Sequence, residues 1–187
     1  VISIIAILIG ILMPALANAR ASARQLEDSQ KTRSIHSAWT AFGAQSNGAL
    51  PTPSHIDRLA HPSLGEQRGM GAPDWELNET GYVHAAAMME NLYTANDLMT
   101  PVEANPMVFV MEYNYDAYDP NNQEDDVHWD YQIKDDLAST GNGCNFSHAS
   151  IPLFGDRMDK EWRTGGSSDF AMIANRGPKD GIAPDVE

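Results

Sequence analysis

The first seventeen positions, VISIIAILIGILMPALA, form an aliphatic run that only Ser3, Gly10 and Pro14 interrupt. A helix built from them has no polar face, so it must be buried in a membrane or among other apolar helices. At 1.5 Å per residue it reaches roughly 25 Å, slightly short of a bilayer core. Beyond Pro14 the pattern changes without a turn signal. No further Gly or Pro occurs before Gly43, and Leu26, Ile35, Ala38, Trp39 and Phe42 recur at helical spacing. The spacing predicts one helix from near residue 1 to about Ala44, stopped by Gly43 and Asn47-Gly48. Residues 1–19 are its apolar half. Residues 20–44 are its amphipathic half, with Ile35, Trp39 and Phe42 turned towards a domain. Pro14 lacks an N–H and crowds the carbonyl of Gly10, four residues back, so Gly10 and Pro14 mark a predicted break or kink.

Residues 45–187 read as a head with long loops. Pro and Gly punctuate 45–80. Residues 82–100 suit a short amphipathic helix ending before Pro101, its methionines filling core gaps. MVFVMEY (107–113) reads as a strand. VHWDYQIK (127–134) alternates Val127, Trp129, Tyr131 and Ile133 with polar residues, the pattern of a half-buried strand. SIPLF (150–154) and FAMIAN (170–175) are two further short strands. The expected class is α+β, a long N-terminal helix packed on a small antiparallel sheet.

Charge divides the chain at the same place. The net charge is −14, but residues 1–33 carry Arg20, Arg24, Lys31 and Arg33 against Glu27 and Asp28. The remainder therefore carries −16. An apolar stem with a basic collar, Arg20 and Arg24, joins a strongly acidic head. Nucleic acid is not an expected partner, because phosphate binding needs a basic face.

Candidate chemistry in the head is sparse. From residue 69 to residue 133 there is no Lys or Arg and there are thirteen acids, densest in DAYDPNNQEDD (116–126). Asp116, Asp119, Asn121, Glu124, Asp125 and Asp126 supply oxygen ligands at a density that suits Ca²⁺. The EF-hand spacing is absent, and a solvated acidic loop is the plainer reading. No cofactor is therefore expected, with a structural Ca²⁺ as the alternative. Six scattered His residues form no HExxH, and Cys144 beside Ser147-His148 is read as a buried thiol rather than a nucleophile. The lone Cys also excludes an internal disulfide. No enzymatic activity is expected. Asn78-Glu79-Thr80 and Asn145-Phe146-Ser147 match the glycosylation sequon.

VISIIAILIGILMPALANARASAR resembles the N-terminal segment of type IV pilins and type II secretion pseudopilins: an aliphatic run, the Gly10…Pro14 spacing, then small residues leading into an Arg-bearing amphipathic helix. The C-terminal stretch 151–181 resembles, more weakly, a pseudopilin-like subfamily of planctomycete-type bacteria. The class implies a basic leader removed by a prepilin peptidase, then a methylated aromatic start followed closely by a Glu. By this resemblance the leader, the aromatic start and the Glu would all fall upstream of Val1. The subfamily implies a further tail beyond Glu187.

The expected function is that of a structural subunit of a pilus-like extracellular filament. Its core would be Ile2, Ile4, Ile5, Ile7, Leu8, Ile9, Ile11, Leu12, Met13 and Leu16 from many copies. The partners implied are copies of itself in a helical homopolymer. Before assembly they are the lipid bilayer, the inner-membrane assembly machinery and prepilin peptidase. A periplasmic pseudopilin is the alternative within the class. A membrane anchor bearing a ligand-binding head, with no polymer, is the rival from outside it. A cleaved signal peptide is a further reading of the small-x-small steps at Ala15–Ala19.

Overall fold

Forty-four consecutive residues, Ile2–Gln45, form one α-helix, α1, about 66 Å long. The computed structural model describes residues 2–65, 67, 69–118, 127–136 and 143–176, with the backbone alone for Ile4, Ala6 and Ile7. α1 runs unbroken through Gly10 and Pro14. The expected weak point therefore does not interrupt the helix. A proline removes one ladder bond, and the turns on either side keep theirs.

The helix stops where Asn47 and Gly48 both take left-handed backbone, at φ 54° and 86°. The Gly48 N–H then folds back onto the Gly43 carbonyl at 2.7 Å. Gly43 is not the stop. It is a packing position, where an added Cβ would lie 2.4 Å from Thr164 Cγ2.

Short elements follow. Helix α2 (Pro53–Ile56) and a 3-10 turn (Trp75–Leu77) lead into α3 (Thr80–Met89). α3 ends well before the expected residue 100. Asn91 turns left-handed at φ 56°, and a separate 3-10 turn, Ala95–Leu98, starts under a capping box made by Thr94 and Asp97.

Two two-stranded antiparallel sheets complete the fold. β1 (Asp135–Asp136) pairs with β2 (Gly143–Cys144), and β3 (His148–Ser150) pairs with β4 (Ile173–Asn175), Ala149 facing Ala174. Helix α4 (Gly155–Glu161), unanticipated from the pattern, lies between β3 and β4. The α+β class holds: one long helix with small antiparallel sheets.

The strands expected at 107–113 and 127–134 do not form. Val108 alone makes a bridge, to Cys144. Around the second segment, side chains take the backbone donors that a ladder would have used. Asp130 accepts from the Asn114 N–H at 3.0 Å and the Gln132 N–H at 2.9 Å. Tyr113 Oη accepts from the Asp130 N–H at 3.3 Å and donates to the Ala85 carbonyl at 2.6 Å. The alternation correctly marked Trp129 and Ile133 as buried, but their burial is achieved by an irregular chain. SIPLF contributes only Ser150 to β3, and FAMIAN only Ile173–Asn175, which is β4.

The core gathers around the C-terminal half of α1. Ile35 and Trp39 are fully buried against Val83, Met88 and Leu98. Trp162 stacks edge-on against Trp39 at 5.0 Å between centroids. Phe42, expected to pack equally deeply, is only half-buried, and Leu26 is exposed.

Candidate functional site

The stem is the feature that folding leaves unfinished. From Leu8 through Glu27 every residue of α1 is exposed, as are Ile2, Ser3 and Ile5. Exposure reaches 84% at Ile2 and 69% at Met13. Leu8, Ile9, Ile11, Leu12 and Leu16 are each about half exposed or more. Globular chains rarely leave an apolar surface of this extent without a partner. Among the fully described residues no helix is long and apolar enough to cross a membrane. The aliphatic run also includes Ile4, Ala6 and Ile7, whose side chains lie outside that description.

Arg20 and Arg24 follow on the same exposed surface, and neither has an ion-pair or hydrogen-bond partner among the described residues. Contact with the head begins one turn later. Asp28 Oδ2 accepts from Asn175 Nδ2 of β4 at 2.7 Å. Lys31 Nζ donates to the carbonyls of Asn96 and Met99 at 3.1 and 2.9 Å, closing the C-terminal end of the 3-10 turn. His148 of β3 donates through Nδ1 to the Leu98 carbonyl at 3.2 Å, and its Nε2 faces Asp28 Oδ1 at 3.8 Å. Burial holds the His148 pKa below the ordinary 6.5, although Asp28 pulls it upward. These junction residues were missed in the sequence. A signal was present, because Asp28, Lys31, Ile35 and Trp39 share one helical face.

Behind the junction lies a buried polar chain. Trp39 Nε1 donates to Tyr93 Oη at 3.1 Å. Tyr93 Oη is in turn hydrogen-bonded to His84 Nδ1 at 2.9 Å. His84 Nε2 is buried with no hydrogen-bond partner among the described residues. Complete burial, with the neighbouring His148 adding to it, pushes the His84 pKa down to about 3. The imidazole is therefore neutral at physiological pH, and the chain acts as a structural brace.

The thiol expected to be buried lies in the core. Cys144 is buried, and burial raises its pKa, the opposite of an activated nucleophile. Of the six candidate ligands in the acidic loop only Asp116 is described; Asp119, Asn121, Glu124, Asp125 and Asp126 lie outside the described residues. Among the described residues no three His, Cys, Asp or Glu side chains converge on a metal position. Neither sequon offers a free amide in the folded chain. Asn145 is 1% exposed and bonded to Lys134 N–H and the Phe109 carbonyl. Asn78 bridges Ser54 N–H and the Leu153 carbonyl.

A cavity of about 520 Å³ opens at the far end of α1, lined by Phe42, Leu50, Ile56, Met158 and Trp162, with His55 and Arg163 among its polar groups. Comparison with known protein families, characterised proteins and solved structures finds no match for the chain.

Proposed function

We propose that this chain is a structural subunit of a pilus-like extracellular filament, polymerising through its apolar stem. One observation carries the reading. A single helix gives its C-terminal half to the head core and leaves every described side chain of its aliphatic N-terminal run exposed. Before assembly, lipid would cover that surface and the helix would satisfy its own backbone. After extraction by an assembly machinery, the stems of neighbouring copies would cover it instead. Ten Ile, Leu and Met side chains between Ile2 and Leu16, at roughly 1.5–3 kcal/mol each when fully buried, supply about 15–30 kcal/mol per copy before entropy is charged. A contact between different faces of identical chains need not close, so it generates a helical polymer. The pilin-like segment of the sequence supports the same reading. The heads, at −16, would form the outer wall and keep fibres apart.

A second reading rests on the apolar cavity at the far end of α1, which lies within the size range of small-molecule sites. In it the stem is only an anchor and the head captures a ligand.

Negative-stain imaging of the full chain after detergent removal separates the two. Fibres of uniform width support the filament. Dispersed particles or micelles, with no polymer at any protein concentration, would leave the anchored binding protein as the better reading.

A further inference from the structure

Arg20 and Arg24 continue a stripe of the stem that begins with apolar side chains. Ile9, Met13, Leu16, Arg20 and Arg24 follow one another at intervals of four, three, four and four, which is one face of a helix. All five are exposed. Arg20 lies eight residues before Asp28, the first residue that touches the head, so it stands about 12 Å out along the axis. Neither guanidinium is paired among the described residues.

The complementary surface is on the head. Phe109, Val110, Glu112, Tyr115 and Asp116 are exposed along one irregular segment. Val108 and Tyr113, both buried, anchor that segment to the core. Neither Glu112 nor Asp116 has a basic partner among the described residues. Lys134 stacks over the Phe109 ring at 5.8 Å, at the other end of the segment from Asp116. Four more acids follow in the sequence before residue 127. The strip thus offers aliphatic and aromatic surface running into carboxylates. The stem stripe offers aliphatic surface running into guanidiniums. Arginine both pairs with carboxylates and stacks on aromatic faces such as Tyr115.

We propose that the collar of one copy, Arg20 and Arg24, seats on the Phe109–Asp116 strip of a neighbouring copy's head, and that this contact sets the register of assembly. The proposal rests on the filament reading. Its occupant is a second copy because heads of −16 repel one another, and a counter-charge carried about 12 Å out along the stem of the same chain is available to every copy. Charge complementarity of this kind governs encounter rate and register more than final affinity.

The test uses the full chain, released from detergent and followed by light scattering. Four forms are compared: wild type, R20E/R24E, E112R/D116R and the combined fourfold swap. All four positions are exposed, so the head should fold in each, which circular dichroism checks. Each double reversal should slow elongation about tenfold or more at low salt, a range typical of lost steering. The difference should shrink in high salt. The fourfold swap should recover most of the wild-type rate. If R20E/R24E elongates like wild type at every salt concentration, the proposal is overturned while the filament reading stands. A fourfold swap no faster than the doubles overturns it as well. So does loss of binding to vesicles containing anionic lipid with assembly unchanged, which assigns the collar to headgroups. If wild type itself never elongates, the filament reading fails first.

Discussion

His148 Nε2 and Asp28 Oδ1 face each other at 3.8 Å, both buried, and neither makes a hydrogen bond. The histidine sits on β3 and the aspartate on α1, at the first point where the stem meets the head. With Nδ1 donating to the Leu98 carbonyl, the neutral imidazole turns a lone pair towards a carboxylate. Gaining a proton would pair the two. The desolvation of a buried cation, together with nearby Lys31 and Arg176, opposes that gain and holds the pKa below 6.5.

Acid should therefore destabilise the head. The folded pKa values of His148 and His84 both lie below the unfolded value of 6.5, His84 at about 3. The unfolded chain then takes up protons first. The stabilisation is complete above pH 6.5 and is lost as pH falls from 6.5 towards the folded values. Urea midpoints measured from pH 8 to pH 4 should drop below about 6.5. Replacing both histidines (H84Q/H148Q) should flatten that part of the profile. A wild-type midpoint unchanged down to pH 4.5 would contradict the assignment of two buried neutral imidazoles.

Lys31→Met should loosen the junction without touching the core. It keeps the apolar stem of the side chain but removes the donors to the Asn96 and Met99 carbonyls. Hydrogen bonds from a charged group contribute about 1.5–3 kcal/mol when well shielded, and Lys31 is half-exposed, so a loss of about 1–2 kcal/mol is expected. Amide exchange should quicken first across the 3-10 turn, Ala95–Leu98. Exchange that quickens uniformly over the head would show that the lysine serves global stability instead.

How much of this was legible beforehand differs from element to element. α1 was readable because an aliphatic run and a helical stripe persist over more than forty residues, and local periodicity decides such a segment. Ile35 and Trp39 were correctly placed by that stripe. The strands at 107–113 and 127–134 were not correctly read, because Asp130 and Tyr113 capture backbone groups from sixteen or more residues away, and no short-range pattern records that. The junction was half legible. Asp28 and Lys31 lie on the buried face of α1, but their partners Asn175, His148, Asn96 and Met99 come from distant positions that only the tertiary fold brings together.

Gly43→Ala tests whether this glycine is a helix stop or a packing position. A stop would tolerate alanine in the last helical turn and gain slightly in propensity. Here the new methyl meets Thr164 Cγ2 at 2.4 Å and Leu50 Cδ2 at 3.3 Å. The Thr164 side chain must move, and its backbone N–H is bonded to the Gly48 carbonyl, so the outcome should be a loss of about 1–3 kcal/mol. G43A/T164S, which removes the clashing methyl, should recover most of it. If G43A alone is neutral or stabilising in thermal unfolding, the packing role is wrong.

Removing residues 1–19 should separate assembly from folding. The described side chains of that segment are all exposed, and a Cβ added at Gly10 would meet nothing within 4 Å, so the head core centred on Trp39 loses none of its contacts. The shortened chain should be a soluble acidic monomer with a urea midpoint within experimental error of the full chain. It should form no fibres at concentrations where the full chain does. Sedimentation velocity and negative-stain imaging of the two forms side by side provide the check. Fibres from the truncated chain would mean that the heads alone polymerise and the stem is not the core. A large fall in its midpoint would mean that the stem stabilises the head through contacts made only between copies.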